Sequence, residues 1–194
     1  MKVSKRCEYA LRALINLGIA AEVGRSLVQI SELADHEQMP VKFLEQIMKD
    51  LKAAGYVASE RGKFGGYRLH RPAAKIPIGE VVRLLDGPLA PIGCVSQTAY
   101  EKCSCPDEVH CGLRMIMLDV RNAIAGIMDR YTVADLVAVT LRKMRASGIV
   151  HPFSESATPL PGASRRQRSR PAATTASATT AEGILSTLIP EYSI

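Results

Sequence analysis

Four of the five cysteines in this chain lie close together, at Cys94, Cys103, Cys105 and Cys111. Thiolates grouped at short spacing usually bind a metal or respond to oxidants, whereas a lone cysteine is more often a small buried hydrophobe. The surrounding segment is rich in glycine, proline and charged residues, which is not the pattern of a core. The grouping therefore favours metal or redox chemistry, and Cys7 is predicted to be a packing residue.

The spacing of these cysteines leaves several kinds of chemistry open. Structural zinc sites favour paired ligands about two to four residues apart, and the chain has no Cys-x-x-Cys pair. Iron–sulfur clusters accept thiolates at wider and irregular spacing. A thiol switch needs only two cysteines, which form a disulfide or a sulfenate. His110, beside Cys111, is either a further ligand or a solvated loop residue.

The segment before the cysteines has the helix and turn signals of a DNA-binding domain. Apolar residues recur at helical spacing over residues 4–21, and a short helix is predicted over residues 28–34. A second amphipathic helix is predicted over residues 41–54, with Gly55 at its C-terminal end. A short helix, a tight turn and a second helix predict a helix-turn-helix, whose second helix enters a major groove.

A glycine-rich hairpin with cations near its tip follows the second helix. Strands predicted at residues 56–58 and 67–69 flank this turn, which predicts a wing that reaches phosphates or a minor groove. The candidate DNA contacts lie on the second helix and in the wing: Lys42, Glu45, Gln46, Lys49, Lys52, Arg61, Lys63, Gly65 and Gly66. Gln46 could read a base edge and the lysines suit phosphates, although most lysines on helices simply face solvent.

The elements after the wing would position the cysteines. A short helix is predicted over residues 78–85, and the cysteine loop occupies about residues 90–112. Apolar residues then recur every three or four positions over residues 113–131, which predicts a long amphipathic helix whose apolar stripe needs a partner. Thr132 and Asp135 form a capping box that opens a further helix.

Composition and charge divide the chain into three regions, residues 1–75, 76–147 and 148–194. Residues 1–75 hold 13 Lys and Arg against 8 Asp and Glu, an excess of 5 out of the net charge of +6, which fits a polyanion partner. The last region is rich in Ser, Pro, Ala, Thr and Arg and is predicted to be a disordered low-complexity tail.

The chain was also searched for membrane spans, a signal peptide and the motifs of enzymes. No apolar run is long enough to span a membrane, and the start lacks the pattern of a signal peptide. We therefore expect a cytoplasmic protein without a membrane partner. The absence of a nucleotide-binding glycine motif and of a catalytic constellation argues against an enzyme.

Several motifs together resemble the Rrf-2 type bacterial transcription regulators, which include the IscR-, NsrR- and CymR-like proteins. The resemblance covers about residues 1–146 and rests on five runs in register: Y-A-L-R-A-L ending at Leu14, F-L-E-Q-I at 43–47, L-K-x-A-G-Y-V at 51–57, R-G-x-x-G-G-Y-x-L at 61–69 and I-x-x-G-E-V-V-R-x-x-D-G-P at 76–88. It implies a mainly α fold with a small β-hairpin wing, in which a winged helix-turn-helix domain precedes a long dimerisation helix.

The resemblance also implies partners and a cofactor. The implied assembly is a homodimer whose long helices cross, and each winged domain reads one half of a palindromic operator in double-stranded DNA. Many members of the family hold an iron–sulfur cluster, [2Fe-2S] or [4Fe-4S], through three loop cysteines and a fourth ligand that varies. By position these three are Cys94, Cys105 and Cys111, while Cys103 is an extra thiol that could replace Cys105 or complete the set. Glu8 is another candidate for the fourth ligand, because some relatives use a carboxylate near the start of the first helix. His110, beside Cys111, is a further candidate.

These observations predict a DNA-binding transcription regulator, with repression as the expected effect, whose operator affinity depends on a cysteine-ligated iron–sulfur cluster. Two alternatives stay open. One keeps the DNA-binding role but senses oxidants or thiol metabolites directly through the cysteines. The other is a small iron–sulfur electron-transfer protein that docks an acidic partner through its basic N-terminal region.

Overall fold

The computed structural model of this protein describes residues 2–154 and is mainly helical, with one two-stranded antiparallel hairpin. In chain order the helices and strands are α1 (Lys5–Glu22), α2 (Ile30–Glu37), α3 (Val41–Ala53), β1 (Val57–Glu60), β2 (Gly66–Leu69), α4 (Ile78–Asp86), α5 (Gly112–Arg130) and α6 (Val133–Ala146). Short 3-10 turns occupy Ala73–Lys75, Gly93–Val95 and Pro152–Ser154. This is the helical architecture with a hairpin that the sequence predicts.

Helix α1 is the central element of the folded unit. Ser4 caps it, since its side chain accepts a hydrogen bond from the Cys7 amide at 3.1 Å. One face of α1 is buried and packs against α3, α4, α6 and β2. Cys7 itself is fully buried, as expected of a packing residue, and burial raises the pKa of its thiol to about 12.

Helices α2 and α3 form the predicted helix-turn-helix, but α2 begins later than the sequence suggests. The sequence placed a helix over residues 28–34, and the observed helix starts at Ile30 because Val28 exchanges backbone hydrogen bonds with Tyr67. Ion pairs fasten both helices to α1: Arg12 with Glu37 of α2, and Arg6 with Asp50 of α3. The second helix of the motif is therefore held in a defined position on the core.

The hairpin pairs Val57 with Leu69 at its base and Glu60 with Gly66 near its tip. The bridge between Val28 and Tyr67 joins the hairpin to the segment before α2. The wing therefore does not project freely, because one of its strands is bonded to the helix-turn-helix.

In the second half of the described chain, the long helix α5 packs against α4 and the turn Gly93–Val95. Arg83 of α4 donates two hydrogen bonds to Asp129 of α5, at 2.6 and 2.7 Å. Helix α6 opens with the predicted capping box, in which Thr132 and Asp135 bond each other's backbone amides. Most of α5 lies near the surface, and Arg121 is its single buried residue.

Residues 148–154 pack against the folded unit, although the sequence assigned them to the tail. His151 is 5% exposed and Phe153 is 1% exposed, so the folded unit extends to Ser154 instead of ending at residue 147. The rest of the predicted tail, residues 155–194, lies outside the described residues. No helix within residues 2–154 is long and apolar enough to cross a membrane.

Candidate nucleic-acid interface and thiol pocket

Helix α3 presents one polar face to solvent. Its buried residues are Leu44, Ile47, Met48 and Leu51, and they recur at the spacing of one helical face. The five predicted contacts on this helix are all exposed: Lys42, Glu45, Gln46, Lys49 and Lys52. The helix therefore offers three ammonium groups, one carboxylate and one amide on the side facing away from the core.

A groove of about 570 Å³ is lined by α3, the start of α2 and the wing. Its lining includes four of the predicted cations, Lys49 and Lys52 on α3 and Arg61 and Lys63 on the wing, together with the carboxylate of Glu60. Because the cations outnumber that carboxylate, an anionic strand placed there would meet positive charge from two elements. Lys42, Glu45 and Gln46 do not line the groove.

The two predicted wing glycines also line the groove, and sterics require both of them. A Cβ at Gly65 would lie 2.3 Å from the Glu60 carbonyl oxygen, and one at Gly66 would lie 2.5 Å from the Val28 carbonyl oxygen. The backbones approach too closely for any side chain. These glycines are therefore needed to build the wing, whether or not their amides touch DNA.

The groove contains polar residues that the sequence analysis missed. Gln29 and Ser31 at the start of α2 and Ser59 of β1 lie along it. The Gln29 side-chain amide donates to the Lys63 carbonyl at 3.3 Å, and the Lys52 ammonium donates to the Ser59 hydroxyl at 2.6 Å. The first helix of a helix-turn-helix crosses the DNA backbone, and that rule is the signal that could have identified Gln29 and Ser31.

The four clustered cysteines line one pocket of about 250 Å³. Their thiols are free: Cys94 is buried, Cys103 and Cys111 are half-buried, and Cys105 is exposed. The 3-10 turn Gly93–Val95 carries Cys94, and Cys111 is the residue that precedes the first turn of α5. The fold thus brings together the four thiols that the sequence analysis grouped.

The thiols of the pocket influence one another. The neighbouring Cys103 and Cys111 thiols raise the pKa of Cys105 to about 11. Burial, followed by the charge of Cys103, raises the pKa of Cys94. Cys94 and Cys105 therefore favour the protonated thiol, and a metal that binds them as thiolates must displace protons.

The two non-cysteine candidates lie away from this pocket. His110 is exposed, with 81% of its side chain accessible, and its Nδ1 lies 2.7 Å from an Asp107 carboxylate oxygen. Glu8 accepts a hydrogen bond from the Lys5 ammonium at 2.7 Å and lies 3.5 Å from the Arg12 guanidinium. Neither side chain lines the pocket within this one chain.

Four of the side chains that line the pocket are thiols, the ligands that iron–sulfur clusters take. Within residues 2–154, no three of the His, Cys, Asp and Glu side chains form a group that could hold a metal ion as they stand. In an iron–sulfur cluster each iron takes its own thiolates, so the sulfur atoms need not converge on one point. Four thiols around one pocket fit that requirement.

Comparisons with known proteins found relatives among the HTH-type transcriptional regulators. The family model Rrf2, described as an iron-dependent transcriptional regulator, matches residues 3–139. A protein named as an rrf2-like HTH-type transcriptional regulator of Rhodobacter capsulatus is 39% identical over 140 residues, which are 70% of this chain and 92% of the relative. The protein rrf2 of Nitratidesulfovibrio vulgaris is 34% identical over 137 residues, which are 71% of this chain and 87% of that protein.

Solved structures show the same fold. CymR (YrzC), the global cysteine regulator of B. subtilis, superposes with a TM-score of 0.60 at 27% identity, over 72% of this chain and 98% of that chain. IscR of T. potens superposes with a TM-score of 0.57 at 24% identity, over 79% of this chain and 95% of that chain, which is a likeness of fold alone. With the family model matching residues 3–139 and a relative 39% identical along most of its length, this chain belongs to the Rrf2 family of DNA-binding transcription regulators, which are not enzymes.

Proposed function

We propose that this protein is a homodimeric regulator whose affinity for a palindromic operator is controlled by an iron–sulfur cluster, [2Fe-2S] or [4Fe-4S]. Cys94, Cys103, Cys105 and Cys111 are the proposed ligands. The observation that carries the proposal is the pocket lined by all four thiols at the start of α5. The description of the family as iron-dependent regulators supports it.

An exposed apolar stripe on α5 supports the homodimer. Four large apolar side chains on one face of this helix are exposed, by fractions between 38% and 58%: Leu113, Ile116, Val120 and Ile127. Apolar surface of this extent on one helix is unfavourable in water and favours association. A second copy of α5 presents the same stripe, so a two-fold arrangement lets each copy cover the other.

The position of the thiols suggests how the site could influence DNA binding. When bound, a cluster supplies iron–thiolate bonds that oxidation or iron shortage removes. Cys111 directly precedes α5, and Arg83 links α4 to the far end of that helix at Asp129. A displacement of the loop would therefore shift α5 and with it the spacing of the two winged domains. Since both half-sites must be engaged at once, a small change in spacing would cost much of the affinity.

The proposal is tested on protein purified without oxygen. We expect a coloured protein that contains iron and sulfide and whose affinity for its own upstream DNA changes when the cluster is removed. Binding is measured by gel shift with both forms. A colourless protein that contains no iron after anaerobic preparation contradicts the cluster, and the gel shift separately tests the DNA-binding role.

A cluster-free thiol sensor is the second candidate, because the Cys103 thiol lies within hydrogen-bond reach of Cys105 and raises the pKa of Cys105. In that case peroxide would oxidise two thiols to a disulfide and be reduced to water. Among the structural neighbours, CymR of B. subtilis is named as the global cysteine regulator, and CymR of Staphylococcus aureus has been solved in an oxidised form. Iron-free protein whose DNA affinity responds to peroxide and recovers with a reductant would favour this candidate.

A further inference from the structure

Phe64, at the tip of the wing, is unusually exposed for an aromatic residue. The chain has three phenylalanines. Phe153 is 1% exposed, Phe43 is 39% exposed and packs edge-on against Tyr9, and Phe64 is 72% exposed. An aromatic ring in water is unfavourable by an amount that grows with its apolar area. The wing tip therefore carries a hydrophobic group for which its own fold provides little cover.

The turn that carries Phe64 is structurally well defined. The Gly65 amide donates to the Gly62 carbonyl at 3.0 Å, and a Cβ at Gly65 would collide with the backbone of β1. Gly62 has a φ of +114°, a conformation that favours glycine. The turn therefore fixes the position from which the Phe64 ring extends.

The charges around Phe64 identify the partner it suits. The Lys63 ammonium lies 5.7 Å from the centre of the Phe64 ring, and Arg61 is exposed on the same turn. An apolar protein surface would have to desolvate both cations, which is costly. A nucleic-acid groove instead offers phosphates to the cations and sugar and base surfaces to the ring.

We propose that Phe64 is an apolar DNA contact, whose ring enters the minor groove beside the half-site bound by α3 and packs against sugars and base edges. Inserted apolar side chains partly unstack a base step, and pyrimidine–purine steps open most easily. Phe64 would therefore add a preference for flexible steps at positions that α3 does not read, while Arg61 and Lys63 hold the phosphates. This inference rests on the DNA-binding role proposed above.

The protein contains no tryptophan, so Phe64→Trp introduces a single fluorescent reporter at the wing tip. The probe is a duplex selected by the wild-type protein from random-sequence DNA under anaerobic conditions. We expect this duplex to quench the fluorescence of F64W and to shield it from acrylamide, because the indole would stack against bases.

Two further variants separate apolar contact from charge. Phe64→Ala should weaken binding roughly tenfold, as for one lost base–aromatic contact, and leave the salt dependence unchanged. Lys63→Ala should reduce the slope of log affinity against log salt by about one, as for one lost phosphate contact. The loss caused by F64A should shrink when the pyrimidine–purine steps flanking the half-sites are replaced by a stiff A-tract.

Unchanged F64W fluorescence in the saturated complex, together with wild-type affinity of F64A, would overturn the inference. Fluorescence of F64W that changes with protein concentration in the absence of DNA would instead assign the ring to a contact between copies of this chain. If the wild-type protein selects no duplex, the DNA-binding role itself is contradicted. That result differs from F64W that binds the duplex without a change in its fluorescence, which contradicts only the role of Phe64.

Discussion

Cys103 is the side chain on which the composition of the thiol site depends. The sequence left Cys103, Glu8 and His110 as candidates for the last ligand. The fold places Cys103 in the pocket with the other three thiols, whereas Glu8 is engaged by Lys5 and Arg12 on the surface of α1.

We expect Cys103→Ser to lower the iron and sulfide content of anaerobically purified protein severalfold, because a serine hydroxyl is a poor substitute for a thiolate on iron. Glu8→Gln and His110→Gln should leave both contents and the visible spectrum unchanged. Cys7→Ala is the matched control, since it removes a thiol that is buried in the core and far along the chain from the loop. Full iron content in C103S with a depleted E8Q would assign the ligand to Glu8 instead.

Gln46 and Lys49 occupy the exposed face of α3 but differ in what they can recognise. An amide makes paired hydrogen bonds with an adenine edge, whereas an ammonium contacts phosphate as a point charge. Gln46→Ala should cost about 1–3 kcal/mol on the selected duplex and relax discrimination at one base position. Lys49→Ala should weaken binding to all duplexes alike and lower the salt slope by about one. Fluorescence anisotropy at several salt concentrations distinguishes the two patterns, and an equal loss on all sequences for Q46A would remove Gln46 from base recognition.

Helix α5 is the element that the isolated chain leaves incomplete. Its exposed apolar side chains have no cover within the described residues, whereas the faces of α1 and α3 that carry Leu14 and Ile47 are fully buried. One face of α5 therefore packs against its own chain, and the exposed apolar face is available to a partner.

Ile116→Glu should convert the dimer into a monomer, because it places a charge in an interface that excludes water. Ile116 is 53% exposed in the single chain, so the substitution should leave folding intact and weaken operator binding through loss of the second half-site. Analytical ultracentrifugation measures the assembly, and circular dichroism confirms the fold. Asn122→Glu, an exposed polar position on the same helix, is the control. A dimeric I116E would exclude this stripe as the interface.

A buried polar network joins the end of the folded unit, at His151, to helix α1, at Asn16. His151 Nε2 lies 3.2 Å from Asn16 Oδ1, and the Phe153 amide donates to His151 Nδ1 at 3.2 Å. The Asn16 amide donates to Glu37 Oε1 at 2.5 Å. This arrangement requires a neutral imidazole with its proton on Nε2, since a proton on Nδ1 would face the Phe153 amide.

Acidification should therefore destabilise the protein through His151. Burial first, and then the charge of His36, lower the pKa of His151 below its ordinary value of 6.5, against an opposing effect of Glu37. The unfolded chain then binds more protons than the folded one, so the contribution of His151 is fully present above pH 6.5 and is lost as the pH falls towards the lowered pKa. Thermal melting across this window should show a smaller dependence on pH in His151→Gln than in the wild type, although H151Q is less stable at neutral pH. An equal dependence in both proteins would exclude His151 as the titrating group.

Local sequence signals predicted much of the architecture correctly. The bounds of α3, the start of α6 at the Thr132 capping box and the wing hairpin depend on residues a few positions apart, so helical periodicity, caps and turn glycines reveal them. The start of α2 was misplaced because Val28 bonds to Tyr67, a residue of the wing. The local pattern around Val28 contains no information about that partner.

The sequence by itself determined the helix-turn-helix, the wing, the long amphipathic helix and the grouping of four thiols, because these follow from short-range spacing and side-chain chemistry. Only the tertiary structure decided which groups meet. It brought Cys94 to the other three thiols, placed Lys49 and Arg61 along one groove, and joined His151 to Asn16 across 135 positions of the chain. Such contacts depend on how the buried faces of all the helices pack at once, and that packing is a property of the whole core rather than of any one segment.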